Sequence, residues 1–133
     1  MLMKNLKKKI KTISENIQIF YSQYLPNNLN QFVDQNLLAF AGIGNPNNFF
    51  NLLEKNNLKV KKKLSFPDHY NYSEKELKDL VIFSEKNNLK IVTTEKDYFR
   101  IKDFKIPQIQ YLGVKLEIKN KDKFEKEIIK CLF

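Results

Sequence analysis

Leu37–Ile43, LLAFAGI, is an unbroken apolar run of strand length, and it leads directly into Gly42-Ile43-Gly44-Asn45-Pro46. A strand with one wet face alternates apolar and polar residues; a strand with no polar residues must be covered on both faces. The run therefore calls for a sheet with a layer of helices on each side. Asn45 reads as an N-cap and Pro46 as a first-turn proline, so a helix follows at once, from Pro46 to about Lys55, carrying Phe49, Phe50, Leu52 and Leu53.

The same strand-then-helix alternation continues. Leu58 to about Leu64 reads as a third, polar strand near a sheet edge, after a first β-like run at Gln18–Tyr24. Ser73 opens a helix with Glu76 three residues on, a capping-box pattern. Leu77, Leu80, Val81 and Ser84 line one face of that helix, and Asn87-Asn88 end it. Lys90–Thr94 is a fourth strand, Glu95-Lys96-Asp97 turns into a short helix around Tyr98–Ile101, and Gln108 to Ile118 holds a fifth strand. Asn120 can cap a last helix bearing Phe124, Ile128 and Leu132. The expected fold is α/β: a largely parallel sheet of about five strands with helices on both faces, a three-layer α/β/α arrangement. Residues 2–17 read as a basic amphipathic helix, with Leu6, Ile10, Ile13 and Ile17 at helical spacing among Lys7, Lys8, Lys9 and Lys11. The expected division is 1–17 for this helix and 18–133 for the α/β lobe.

Composition narrows the function classes. A 42% hydrophobic content in 133 residues supports one ordinary core. The net charge of +9, from 24 basic and 15 acidic residues, suits anionic lipid, phosphorylated substrates or nucleic acid. Lysine is spread over the whole chain and no nucleic-acid motif accompanies it, so no nucleic-acid partner is expected. Cys131 is the only cysteine, which excludes an internal disulfide and fits a reducing cytoplasm. No apolar run approaches the roughly 20 residues that span a bilayer, and there is no signal-peptide pattern; the expected location is cytoplasmic, with the basic helix a candidate contact for an anionic membrane surface.

Parallel strands joined by helices present their carboxyl ends on one rim, where ligands of such sheets bind. Three loops should emerge there: GIGNP (Gly42–Pro46), FPDHY (Phe66–Tyr70) and TTEKD (Thr93–Asp97). Gly42, Gly44 and Asn45 open a helix whose free N–H groups can meet phosphate, although the same glycines also suit a tight turn. His69, the only histidine, can exchange a proton near neutral pH, and Asp68 could orient its ring. Lys96 could neutralise phosphate charge, Glu95 and Asp97 could pair with it or cap the short helix, and Arg100 adds a second cation. Each of these also has a plainer reading as a solvated loop residue. The three glycines, Gly42, Gly44 and Gly113, fit no P-loop spacing, and one histidine with one cysteine excludes a His/Cys zinc site; no metal-ligating residues are expected.

AFAGIGNPNNFF (Ala39–Phe50), FPDHYNYSEKEL (Phe66–Leu77) and IVTTEKDYFR (Ile91–Arg100) together resemble the tetraacyldisaccharide 4'-kinases in order and spacing, from about Gln18 to the end. The resemblance implies the C-terminal lobe of a two-lobed kinase that transfers the ATP γ-phosphate to a sugar hydroxyl of a disaccharide lipid A precursor. It implies Mg²⁺ as cofactor and the cytoplasmic face of the inner membrane as the place of work. It implies that the P-loop and metal-binding groups belong to a separate N-terminal lobe, which would be this chain's partner. His69 stands where the family has a histidine that pairs with an aspartate of that lobe to help activate the acceptor hydroxyl. Tyr70 stands where many members have a second histidine. Without a P-loop lobe such a chain is expected to be inactive, and the alternative reading is a non-catalytic remnant or lipid-binding module.

Overall fold

The computed structural model describes residues 2–133. Its elements run α1 (Leu2–Ile13), β1 (Ser22–Pro26), β2 (Asn36–Ala41), α2 (Pro46–Lys55), β3 (Lys59–Ser65), α3 (Glu74–Lys86), β4 (Lys90–Thr94), α4 (Glu95–Ile101), β5 (Ile109–Leu112), β6 (Val114–Ile118) and α5 (Lys121–Leu132), with 3-10 turns at Leu29–Gln31 and Lys102–Phe104. The chain divides into two compact units, 26–115 and the paired ends 1–25 with 116–133.

The 26–115 unit is the parallel α/β sheet that the alternation predicts. Its strand order is β3-β2-β4-β5, and all three pairings are parallel. The apolar run explains β2's place. Leu37, Ala39 and Ala41 join a cluster with Phe32, Phe49, Phe50 and Leu53, which puts α2 on one face. Leu38 and Phe40 join Tyr72, Leu77, Val81 and Ile101, which puts α3 and α4 on the other. A strand buried by helices from both sides has no use for a polar residue.

β3 is an edge strand, as its polarity predicts. Its register against β2 slips between Leu37 and Leu38, leaving Lys61 out of the pairing. A bulge and four lysines (Lys59, Lys61, Lys62, Lys63) keep this open edge from adding another strand. α2 and α3 both close with an asparagine in the left-handed region, Asn57 (φ 60) and Asn88 (φ 55). Leu58 N–H then reaches Leu53 O at 3.2 Å and Leu89 N–H reaches Ser84 O at 2.8 Å, a helix stop that needs no glycine.

Several boundaries differ from expectation. The 108–118 segment is two strands. At Gly113 the ladder bonds are diverted: Gly113 N–H donates to Asn28 Oδ1 at 2.8 Å and its carbonyl accepts from Asn27 N–H at 2.9 Å. Beyond it, β6 pairs with β1 in a separate two-stranded sheet, so the parallel sheet has four strands. β1 starts at Ser22, not Gln18, because its partner runs out: the last bond is Lys119 N–H to Tyr21 O at 2.8 Å. The basic helix ends at Ile13. Lys11 Nζ reaches past its end to the carbonyls of Glu15 (2.7 Å) and Ile17 (2.9 Å), and Ser14 Oγ accepts from Asn16 N–H, which turns the chain away. Neither Asn45 nor Asn120 caps through its side chain; Pro46 starts α2 by its fixed φ, and Asn120 is left-handed at φ 58.

Candidate functional site

The strand order places the site. β2 leads through α2 to β3 on one side, and the chain then crosses through α3 to β4 on β2's other side. The carboxyl ends of β2 and β4 therefore flank a topological switch point, the usual ligand crevice of an open parallel sheet. The loops after β2, β3 and β4 meet here, and Gly42 joins them.

Gly42 N–H donates to Asp97 Oδ2 at 2.9 Å. Its carbonyl accepts twice, from His69 N–H at 3.2 Å and from Arg100 Nη1 at 3.1 Å. One peptide thus ties the glycine loop to both the histidine loop and α4. The glycine is required by close approach, not by an unusual φ: a Cβ here would fall 2.6 Å from the Tyr72 hydroxyl and 3.2 Å from Asp97 Oδ1. Gly44 is exposed and has room for a side chain; a Cβ there meets only the Asp68 carboxylate, at 3.6 Å.

Asp97 is the buried anion at the centre, with no exposed surface. Besides Gly42 N–H it accepts from Thr94 Oγ1 (2.7 Å), Arg100 Nη1 (3.2 Å) and Tyr72 Oη (3.3 Å). Thr94 returns the bond by accepting Asp97 N–H at 3.0 Å, so it is the N-cap of α4. Glu95-Lys96-Asp97 is thus the first turn of the helix, not a turn leading into it. Burial first, and the neighbouring Asp97 charge second, push the Tyr72 phenol far above its ordinary value of 10, so it serves here only as a donor.

His69 rides on this platform in the left-handed region, at φ 58. Its N–H reaches both Gly42 O and Asp68 Oδ1, the latter at 3.0 Å. A non-glycine residue there costs roughly 1 kcal/mol or more, a strain found where loop geometry serves a site. The ring's Nδ1 lies 3.0 Å from Arg100 Nη2. Asp68 does not orient the ring by a direct bond: its Oδ2 is 3.7 Å from Nε2. Lys96 Nζ stands 3.9 Å from Asp68 Oδ1, both half-exposed, so a movable cation borders the histidine loop.

The rim thus gathers Gly42, Asp68, His69, Lys96 and Arg100. Asn45 is exposed at the start of α2, and Glu95 in the first turn of α4 makes no side-chain bond to them. Tyr70 turns toward α3, where its hydroxyl donates to Glu76 Oε1 at 2.6 Å. Glu76 also accepts from Ser73 N–H and Oγ, at 2.8 and 2.7 Å, completing the capping box. These bonds, Tyr70's first, hold the Glu76 carboxyl below its usual range. Sequence reasoning placed Asp97 among charged turn residues and left Tyr72 out of the site. Thr94-x-x-Asp97 is a cap signature that marked Asp97 as a helix-start residue; nothing in the pattern marked Tyr72. Among the described residues no three His, Cys, Asp or Glu groups converge on one point. Asp97 is saturated by its donors and Asp68 lies beside a lysine, so this donor set does not fit Mg²⁺.

The sequence model of the family described as Tetraacyldisaccharide-1-P 4'-kinase matches residues 2–132. A tetraacyldisaccharide 4'-kinase of Pelagibacter ubique is 40% identical over 126 residues, covering 94% of this chain and 40% of the relative. One from Rickettsia akari is 35% identical over 113 residues, covering 85% of this chain and 34% of the relative. The chain therefore spans less than half the length of these relatives. Aquifex aeolicus LpxK, solved in complex with ATP, has a similar fold at TM-score 0.55 and 20% identity, over 96% of this chain and 45% of that one.

Proposed function

The chain belongs to the tetraacyldisaccharide-1-P 4'-kinase family, and on that premise we propose that residues 26–115 form one wall of a phosphoryl-transfer site whose other wall is a P-loop lobe. ATP would donate the phosphoryl group and the 4'-hydroxyl of a disaccharide lipid would receive it. The observation that carries this reading is the Gly42 junction, which holds His69, Arg100 and Asp97 together at the switch point of the sheet. His69 is the group at the reacting end, Arg100 and Lys96 the cations that favour phosphate, and Asp68 the carboxylate that fixes the histidine loop through His69 N–H. Phosphoryl transfer depends on a phosphate cradle and charge stabilisation. These residues supply cations but no cradle, so the nucleotide phosphates and Mg²⁺ fall to the companion lobe.

The unit of chain ends supports the same partner. α1 exposes Met3 (66%), Leu6 (58%) and Ile13 (80%), and α5 exposes Ile129 (56%) and Leu132 (70%). Apolar helix faces of this kind are surfaces for another layer. Among the described residues no helix is long and apolar enough to cross a membrane.

The test is transfer of labelled phosphate from ATP to a tetraacyldisaccharide 1-phosphate. The chain alone should give none, and mixing with the P-loop lobe of a relative should restore it. His69→Ala should then abolish transfer while the circular dichroism spectrum is kept. Transfer within a few-fold of wild type in His69→Ala would remove His69 from the mechanism. Binding of the isolated chain to anionic vesicles, lost in Leu6→Glu, with no reconstituted transfer, would favour a lipid-binding module instead.

A further inference from the structure

His69 is the only histidine in the chain, so its ring nitrogens can be observed without ambiguity. Arg100 Nη2 lies 3.0 Å from Nδ1. A guanidinium has only donors and does not lose its proton in proteins, so Nδ1 must be the acceptor of this bond. The proton of the neutral ring then sits on Nε2. That edge has no direct bond to Asp68, whose Oδ2 is 3.7 Å away, and the side chain is 72% exposed.

Arg100 is itself held. Its Nη1 donates to Gly42 O at 3.1 Å and to Asp97 Oδ1 at 3.2 Å, which leaves Nη2 aimed at the imidazole. Asp97 is fully buried and tied to Gly42, Thr94 and Tyr72. The chain of contacts runs from the sheet end to the ring: β2 terminus, Asp97, Arg100, Nδ1. A lysine could not repeat it, since one ammonium nitrogen cannot span Gly42, Asp97 and the ring as a planar fork does.

We propose that Asp97 and Arg100 are a positioning pair that fixes His69 as its Nε2–H tautomer, so that the imidazole meets a ligand as a hydrogen-bond donor and not as a proton acceptor. A proton taken up at Nε2 needs a ring whose own proton is on Nδ1, where it would oppose an Arg100 N–H. Proton uptake by the ring as it stands would protonate both nitrogens, break the Arg100 bond and set two cations face to face. The inference deepens the reading of His69 as a transfer-site residue and rests on it only for the identity of the ligand.

The test is a nitrogen–proton multiple-bond correlation spectrum of the ¹⁵N-labelled chain at about pH 8.5, where an ordinary imidazole is neutral. The wild type should show Nδ1 in the unprotonated range and Nε2 in the N–H range. In Arg100→Met and Arg100→Lys the two resonances should move toward each other as the tautomers mix, with the backbone amide spectrum otherwise preserved. Asp97→Asn should move them the same way if it folds. Averaged shifts in the wild type, a wild-type ring carrying its proton on Nδ1, or shifts unchanged in Arg100→Met would each overturn the proposal. The two readings fail separately. No reconstituted transfer alongside the expected shifts sinks the kinase reading alone; averaged shifts in a chain that supports transfer sink the positioning pair alone.

Discussion

Residues 26–115 and the paired chain ends are built from the same kinds of helix and strand but close themselves very differently. Every buried residue described lies in 26–115, and the hydrophobic ones form two clusters on the two faces of one sheet. The unit of 1–25 and 116–133 has its own two-stranded pairing, with Gln23 Nε2 donating to Glu117 Oε2 at 2.7 Å, and one aromatic contact, Phe20 on Phe124 at 5.2 Å. Many of its other apolar side chains are exposed, among them Met3, Leu6, Ile13, Ile129, Leu132 and Phe133. Hydrophobic burial drives folding in proportion to the area removed from water. The first unit therefore carries the buried apolar area of the described residues, and the second carries exposed apolar faces on both of its helices. The site sits wholly within the first unit, where rigid strand ends can position it.

The largest effect should separate the units by stability. Phe40 has no exposed surface and packs edge-on to Phe66 and Tyr72, at 6.2 and 5.4 Å between centroids. Phe40→Ala should cost about 3–5 kcal/mol in urea unfolding, the usual range for a truncated core phenylalanine. Ile129→Ala, on α5, should stay within about 0.5 kcal/mol. Equal costs would mean that the chain ends share the core's cooperativity, and the comparison would break.

Next in size is the junction at the site. Gly42→Ala places a methyl against the Tyr72 hydroxyl and the Asp97 carboxylate. It should cost about 1–3 kcal/mol, as overpacking of a close-packed interior does. Reconstituted transfer should fall further than stability does, because the displaced groups hold Arg100 and His69. A stability loss with transfer unchanged would separate the junction from the chemistry.

How much of this could be read beforehand follows from range. β2, α2, α3 and β4 were legible because local signals agree with tertiary need: an apolar run, a first-turn proline, a capping box, an asparagine stop. The convergence of the three loops was legible through the parallel topology. The failures are long-range. Gly113 breaks the 108–118 strand because Asn27 and Asn28, some 85 residues earlier, take its ladder bonds. Tyr72 enters the site only through a contact with Asp97, 25 positions on. Asn45 and Asn120 look like caps and are not, since a cap needs its side chain turned inward and no local pattern guarantees that.

The Asn28 clasp gives the third prediction. Its amide donates to Tyr111 O at 2.9 Å and accepts from Gly113 N–H, closing the 26–115 unit where its two ends leave. Asn28→Ala should cost about 1–2 kcal/mol, the range for leaving part-buried backbone groups without partners. Amide exchange should quicken at Gly113 and along β5 but not in β2. Protection unchanged at Gly113 would show that the unit's boundary is set by something other than the asparagine pair.

The smallest effect concerns pH and asks whether the loops of 26–115 are fixed as firmly as its core. The Glu76 carboxyl is held below its ordinary 4.5, chiefly by the Tyr70 hydroxyl, and the Tyr70 phenol is held above its ordinary 10, chiefly by Glu76. For Glu76 the unfolded chain binds the proton first as pH falls. Its contribution is therefore whole above pH 4.5 and is lost as pH drops through the lowered folded value. For Tyr70 the sign reverses: the contribution is whole below pH 10 and is lost as pH climbs through the raised folded value. Tyr70→Phe should flatten the acid arm of the stability profile and weaken the alkaline arm, where Tyr72 still titrates. The midpoint in urea should fall near neutral pH, where both contributions are whole, and the gap from wild type should narrow toward the acid extreme. An acid arm as steep as wild type would mean that the Tyr70–Glu76 bond is not formed in solution, and that the histidine loop is tied down on the Gly42 side alone.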